Sequence, residues 1–158
     1  MKQASTLFLK IVLCLIAIAA FIWLIWFPQL EGRAANLDLI DIYKDPLIIY
    51  TYIGSIPFFV ALYQAFNLLI HVDDNKIFSQ SSVDAVNNIK KCAIIFSSFI
   101  LLGILYIRLF VRGEDPAGVT GLSVFIIFAS IVIATAAAIF QRLLQNAVDM
   151  KSENDLTV

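Results

Sequence analysis

Charge is what this 158-residue sequence has least of. Only 15% of its residues are Asp, Glu, Lys or Arg and 61% are hydrophobic, against about 25% and about 45–50% in an ordinary soluble domain. The mean hydropathy is correspondingly high, at +0.89. The few charges also avoid four windows: nothing charged lies between Lys10 and Glu31, Asp45 and His71, Lys91 and Arg108, or Asp115 and Gln141. Ionisable groups at membrane depth usually mark proton and ion pathways, and no window carries one at its middle.

Other scarcities narrow the field further. One histidine and two distant cysteines, Cys14 and Cys92, make a poor metal site. H-E-x-x-H, G-x-S-x-G and a glycine-rich phosphate loop are all absent. Neither an enzyme nor a cofactor is therefore expected. A net charge of −1 gives no broad basic footprint, which argues against direct nucleic acid binding.

What the sequence does contain is four apolar runs, and a membrane span needs about 20 such residues. The expected fold is all-α: one integral membrane bundle of four transmembrane helices, at about 7–27, 46–71, 82–111 and 118–147, with a tail at 148–158. Connections this short leave no room for a soluble domain. The first run follows Lys2 and Lys10 and contains Ala17 to Ala19, an A-x-A pattern. Cleavage there would leave only Ile11 to Ile16, below the about 7–15 residues of a signal peptide core. Cys14 fails as a lipoprotein site because Leu13 stands where a small residue is needed. Leu7 to Phe27 therefore reads as a retained helix.

The second run opens with Asp45, able to cap free N–H groups, and Pro46, suited to the first helical position. Gly54 and Pro57 inside it predict a kink near Ser55 to Phe58. The third run is short: Cys92 to Ile107 spans about 24 Å. Either Lys91 and Arg108 snorkel to the two surfaces, or the helix begins earlier, through the S-x-x-D pattern of Ser81 and Asp84 with Val83, Val86 and Ile89 at helical spacing. The fourth run is entered through Asp115 and Pro116.

Counting Lys and Arg by side orients the chain. The N-terminus, second connection and tail hold seven (Lys2, Lys10, Lys76, Lys90, Lys91, Arg142, Lys151), and the first and third connections hold four (Arg33, Lys44, Arg108, Arg112). Both termini are expected in the cytoplasm, and the location is the bacterial cytoplasmic (inner) membrane. Trp23, Trp26, Tyr43, Tyr50, Tyr52 and Tyr106 fall near the proposed outer interface, as an aromatic belt would. Cys14 and Cys92 then lie toward the reducing side, where no structural disulfide is expected and both read as packing residues.

Tyr63, Gln64, Asn67 and His71 form the most polar stripe of any span. Gln64, Asn67 and His71, at spacings of three and four, share one face of the second helix. That face reads either as a small polar pocket open to the cytoplasm or as hydrogen bonding between helices with an interfacial histidine. Ser130, Ala134 and Ala138, with Ala137 adjacent, give the fourth helix small residues at every fourth position, the spacing for close helix packing within one protomer or between two. Arg112 with Glu114 or Asp115 reads as a solvated loop pair, and Arg108 sits close enough to lipid to want an acidic partner from the first connection. In the tail, Asp155, Leu156, Thr157 and Val158 read either as a strand for partner docking, with the terminal carboxylate captured, or as a solvated stop.

A faint internal echo joins the two hairpins: Asp-Pro before the second and fourth helices, then Tyr63-Gln64 and Phe140-Gln141, each followed later by Val-Asp. Chance or duplication of a two-helix unit both account for it. Together, Phe27-Pro28, Asp45-Pro46, the segment KIFSQSSVDAVNNIK from Lys76 and the ending AVDMKSENDLTV make the chain resemble, over essentially its full length, a bacterial family of small four-helix membrane proteins, DUF-2975. The resemblance implies no catalytic residues. Members encoded beside small helix-turn-helix regulators imply such a regulator as a cytoplasmic protein partner. The leading expectation is a non-enzymatic, partner-binding or regulatory membrane component using Val72 to Lys91 and the tail. The alternative is a small transport or export component using the Tyr63, Gln64, Asn67 and His71 face.

Overall fold

The computed structural model describes residues 2–30, 43, 45–110 and 117–155. They form four helices, α1 (Lys2–Leu30), α2 (Pro46–Asp73), α3 (Gln80–Phe110) and α4 (Ala117–Asp155). Each is long and apolar enough to cross a membrane. Leu156, Thr157 and Val158 lie outside the described residues, as do Arg33, Lys44, Arg112, Glu114, Asp115 and Pro116.

The helices pack in chain order: α1 on α2, α2 on α3 and α3 on α4, with no other pair packing extensively among the described residues. The bundle is thus an open row, and α1 is held along one side only. Hydrocarbon permits this, because burying an apolar side chain against another helix gains little when the alternative is lipid. Leu15, Phe21, Leu102, Phe125 and Phe128 are exposed accordingly.

The buried core collects at one end instead. Val83 and Val86 of α3 and Ala137 and Leu144 of α4 form it, with Leu68, Ile77, Ile89 and Val148 packed around them. Most of these residues lie at or beyond the level where charges return, at Lys90, Lys91 and Arg142. Water is the solvent there, and fully burying a Val or Leu stabilises by about 1.5–3 kcal/mol. This is the connector end, where the α2–α3 turn meets the start of α1 and the end of α4.

α3 keeps close to the limits of 82–111 read from the sequence, whereas α4 outruns its expected end at 147. α3 starts at Gln80, so Ser81 and Asp84 lie inside it and do not cap it. The helical bonding opens at Ser79, two residues before Ser81: its carbonyl accepts from the N–H groups of Ser82 and Val83 at 3.0 and 3.3 Å. α4 stays helical to Asp155, so residues 148–155 are helix rather than an extended tail. Val148 packs on the core, and Gln145 Nε2 donates to Asp149 Oδ1 at 2.8 Å across one turn.

Proline placement is resolved locally. Asp45 accepts from Leu47 N at 2.8 Å with Pro46 beside it, so the capped start of α2 is as the sequence reads. α2 runs unbroken through Pro57. Its far end closes on Asn75, whose φ of 57° is left-handed, with Lys76 N donating to His71 O at 2.8 Å and Asn75 N to Val72 O at 3.2 Å. That pair of bonds is the Schellman closure, and Asn is the commonest residue after Gly to tolerate it.

Candidate functional site

Three polar clusters occupy the connector end. The first ties α1 to α2. Lys10 Nζ lies 2.5 Å from Asp73 Oδ2, and Thr6 Oγ1 donates to Asp73 Oδ1. Lys10 also stands 5.8 Å from the centre of the Phe66 ring. Tyr52, Phe59, Phe66 and Asp73 touch α1 at intervals of seven, which keeps one stripe of α2 on its neighbour.

The second cluster locks the turn. Ser82 is fully buried. Its hydroxyl donates to Lys76 O at 3.3 Å and lies 3.1 Å from His71 Nδ1 and 3.2 Å from Ser79 Oγ. A hydroxyl has one proton. With it on Lys76 O, Ser82 Oγ is left to accept from the other two. A serine beside a histidine has the outline of an activated nucleophile, but an oxygen with no accessible surface and three polar neighbours serves to hold Lys76 to Ser82 in register.

The third cluster lies between α3 and α4. Lys90 Nζ donates to Gln141 Oε1 at 2.7 Å, and Gln80 Nε2 donates to Gln145 Oε1 at 3.4 Å. Lys90, Gln141, Arg142 and Gln145 line an open polar groove of about 290 Å³ with Ala138. A second groove, apolar and about 190 Å³, lies deeper and is lined by Pro57, Phe58, Ala65, Cys92, Ala93 and Ile133. Cys92 is half-buried and Cys14 exposed, both as free thiols.

The residues singled out from sequence are distributed as follows. Tyr63 points outward, 63% exposed. Gln64 and Asn67 are half-buried, and neither amide has a hydrogen-bonding partner among the described residues. His71 is drawn into the turn lock instead, so the four do not act as one cluster. Ser130, Ala134 and Ala137 are buried and Ala138 half-buried. Since α4 packs on α3, this row faces inward within the protomer. Arg108 Nη2 lies 3.4 Å from Thr120 Oγ1 of α4, and the acids of the first connection expected to meet it, Glu31, Asp38 and Asp41, lie outside the described residues. Asp155 is the last residue of α4.

Sequence reading missed Thr6, Asp73, Ser82 and Gln141. A signal was available for one of them, Asp73: it and Lys10 are opposite charges near the same end of adjacent antiparallel helices.

At the other end, tyrosines tether neighbouring backbones. Tyr52 Oη donates to Leu24 O at 3.0 Å and Tyr50 Oη to Phe99 O at 2.7 Å. Gly103 makes the second approach possible, since a Cβ there would lie 3.2 Å from Tyr50 Cε1. The aromatic belt is therefore also a set of helix-to-helix bonds.

Comparison with known proteins agrees with this architecture. The model of a family described as "Protein of unknown function (DUF2975)" matches residues 30–158. That range leaves nearly all of α1 outside, narrower than the full-length resemblance read from the sequence, and it coincides with the three helices that share the core. The "Uncharacterized membrane protein YoaS" of Bacillus subtilis is 46% identical over 162 residues, covering 100% of both chains, α1 included. No solved structure matches. Four apolar helices, a membrane-protein relative matched from end to end and a family match over most of the chain lead to one conclusion: this is a membrane protein that belongs to the DUF2975 family.

Proposed function

We propose that the protein is a non-enzymatic component of the bacterial cytoplasmic membrane that binds a cytoplasmic protein partner on its connector end, with both termini on that side. One observation carries the reading. A span needs about 20 residues, yet α3 has 31 and α4 has 39, and the excess packs into a platform with Ser82 and Val86 completely buried. An anchor alone has no use for a rigid helical platform in water. Phe78 and Met150 stand exposed on it, at 52% and 60%, and large apolar side chains left in water are the usual anchors of a protein interface. The excess of Lys and Arg on this side supports the orientation. A small helix-turn-helix regulator is the partner class that the family resemblance brings.

Photo-crosslinking residues placed at 78 and 150 in living cells test this, with Leu122 as the lipid-facing control. A discrete protein adduct is expected at the first two and none at the third. Adducts at none of the three would overturn the proposal. Removal of residues 156–158 then reports whether the tail shares in docking.

A second reading, as a small transport component, draws on Gln64 and Asn67, two amides in a span with no hydrogen-bonding partner among the described residues. Replacing both by Leu separates the readings: a transport role is lost, and crosslinking at 78 and 150 is unchanged if partner docking is the function.

A further inference from the structure

The α3–α4 groove gathers two cations where the apolar surface ends. Lys90 Nζ is held by Gln141 Oε1 at 2.7 Å, an acceptor that orients the ammonium but does not neutralise it. Arg142 lines the same groove. Among the described residues neither cation is paired with a carboxylate, and the ion pair that is present, Lys10 with Asp73, belongs to α1 and α2. Asp149 is engaged by Gln145 at 2.8 Å, one turn further from the apolar stretch, so the groove's membrane side is left purely cationic.

Its surroundings name the class of ligand. Ile94 of α3 and Ile139 of α4 are exposed at 52% and 58%, each one helical turn from its cation on the apolar side, Ile94 after Lys90 and Ile139 before Arg142. A basic pocket between membrane helices, bordered by exposed aliphatic side chains, offers charge to a headgroup and hydrocarbon contact to its chains. A dissolved anion shares the phosphate chemistry but makes no use of the aliphatic border. We propose that this groove binds the phosphodiester of an anionic membrane lipid, with Lys90 and Arg142 donating to its oxygens and the acyl chains lying along Ile94 and Ile139. The site does not depend on the partner-binding reading, since its ligand is a lipid rather than a protein.

Native mass spectrometry of the full-length protein, released from vesicles of phosphatidylcholine with or without phosphatidylglycerol, tests the proposal. Wild type is expected to retain phosphatidylglycerol in preference to phosphatidylcholine. Lys90→Gln and Arg142→Gln should each reduce that retention about fivefold, while Lys151→Gln leaves it unchanged. Lys90→Arg and Arg142→Lys keep the charge and should keep the lipid, which separates loss of binding from loss of fold. Inorganic phosphate should not displace the lipid; displacement would mark a site for soluble anions and overturn the lipid assignment. Equal retention by wild type and the Lys90→Gln, Arg142→Gln double variant, or loss in the charge-preserving variants, would also overturn it.

Discussion

Tyr52 of α2 donates its hydroxyl to the Leu24 carbonyl of α1 at 3.0 Å, and Leu24 is the residue whose helical donor Pro28 removes. The defect that proline makes in one helix thus becomes the acceptor by which the next helix holds it. Tyr52→Phe should leave that carbonyl unsatisfied and cost roughly 1–3 kcal/mol, read as a lower thermal midpoint in detergent. Pro28→Ala restores the internal N–H. In a double-mutant cycle the Tyr52→Phe penalty should shrink in that background, and equal penalties in both would refute the coupling.

Gly103 and Tyr50 make the corresponding contact between α2 and α3. A helical glycine replaced by alanine ordinarily gains about 1 kcal/mol of helix propensity. Here the new methyl would sit 3.2 Å from Tyr50 Cε1, in a ring pinned by its 2.7 Å bond to Phe99 O. Gly103→Ala is therefore expected to destabilise, and the sign should reverse in a Tyr50→Ala background. Thermal midpoints of the four variants decide it.

Leu144 and Leu122 lie on the same helix in different solvents. Leu144 is 3% exposed in the platform core, whereas Leu122 is 60% exposed along the span. Leu144→Ala should cost about 2–5 kcal/mol. Leu122→Ala should be close to neutral, since lipid fills the space it vacates. Limited proteolysis of residues 76–91 in membranes reads the difference: faster cleavage is expected for Leu144→Ala only.

The Lys10 and Asp73 pair bridges the helices whose mutual contact is thinnest. The pair lies at the protein surface, where solvent screens it, so each single neutralisation, Lys10→Met or Asp73→Asn, should lower overall stability only slightly. Its effect on the docking of α1 should exceed its effect on the platform. Cysteines placed at facing positions of α1 and α2 should crosslink less in either variant and recover in the Lys10→Asp, Asp73→Lys exchange. Unchanged crosslinking in the single variants would show that the tyrosine tethers suffice.

The number of helices, their approximate limits and the capped start of α2 were legible in the linear sequence. Charge-free windows and Asp45-Pro46 report directly on solvent and on local backbone geometry. The small-residue row was legible as packing, but not its partner, because Ser130, Ala134 and Ala137 look alike whether α3 or another protomer lies against them. The polar stripe of α2 was legible as one helix face, open to reading as a pocket or as hydrogen bonding between helices. Spacing places Gln64, Asn67 and His71 on one helix face, yet the Schellman turn at Asn75 returns the chain so that buried Ser82 takes His71 away. Contacts of this kind depend on where another helix arrives, which helical periodicity does not encode.

Composition by itself determined that four helices enter lipid, since each apolar run is long enough to satisfy its own backbone and too apolar for water. Tertiary structure alone decided that among the described residues α1 packs extensively only on α2, that α3 and α4 share a buried core beyond their apolar stretches, and that Lys90 meets Gln141 beside Arg142. The division has a physical cause. Insertion is a property of each segment and its solvent, whereas packing between helices in hydrocarbon rests on small differences in shape and on a few hydrogen bonds, and these exist only once two particular surfaces are brought together.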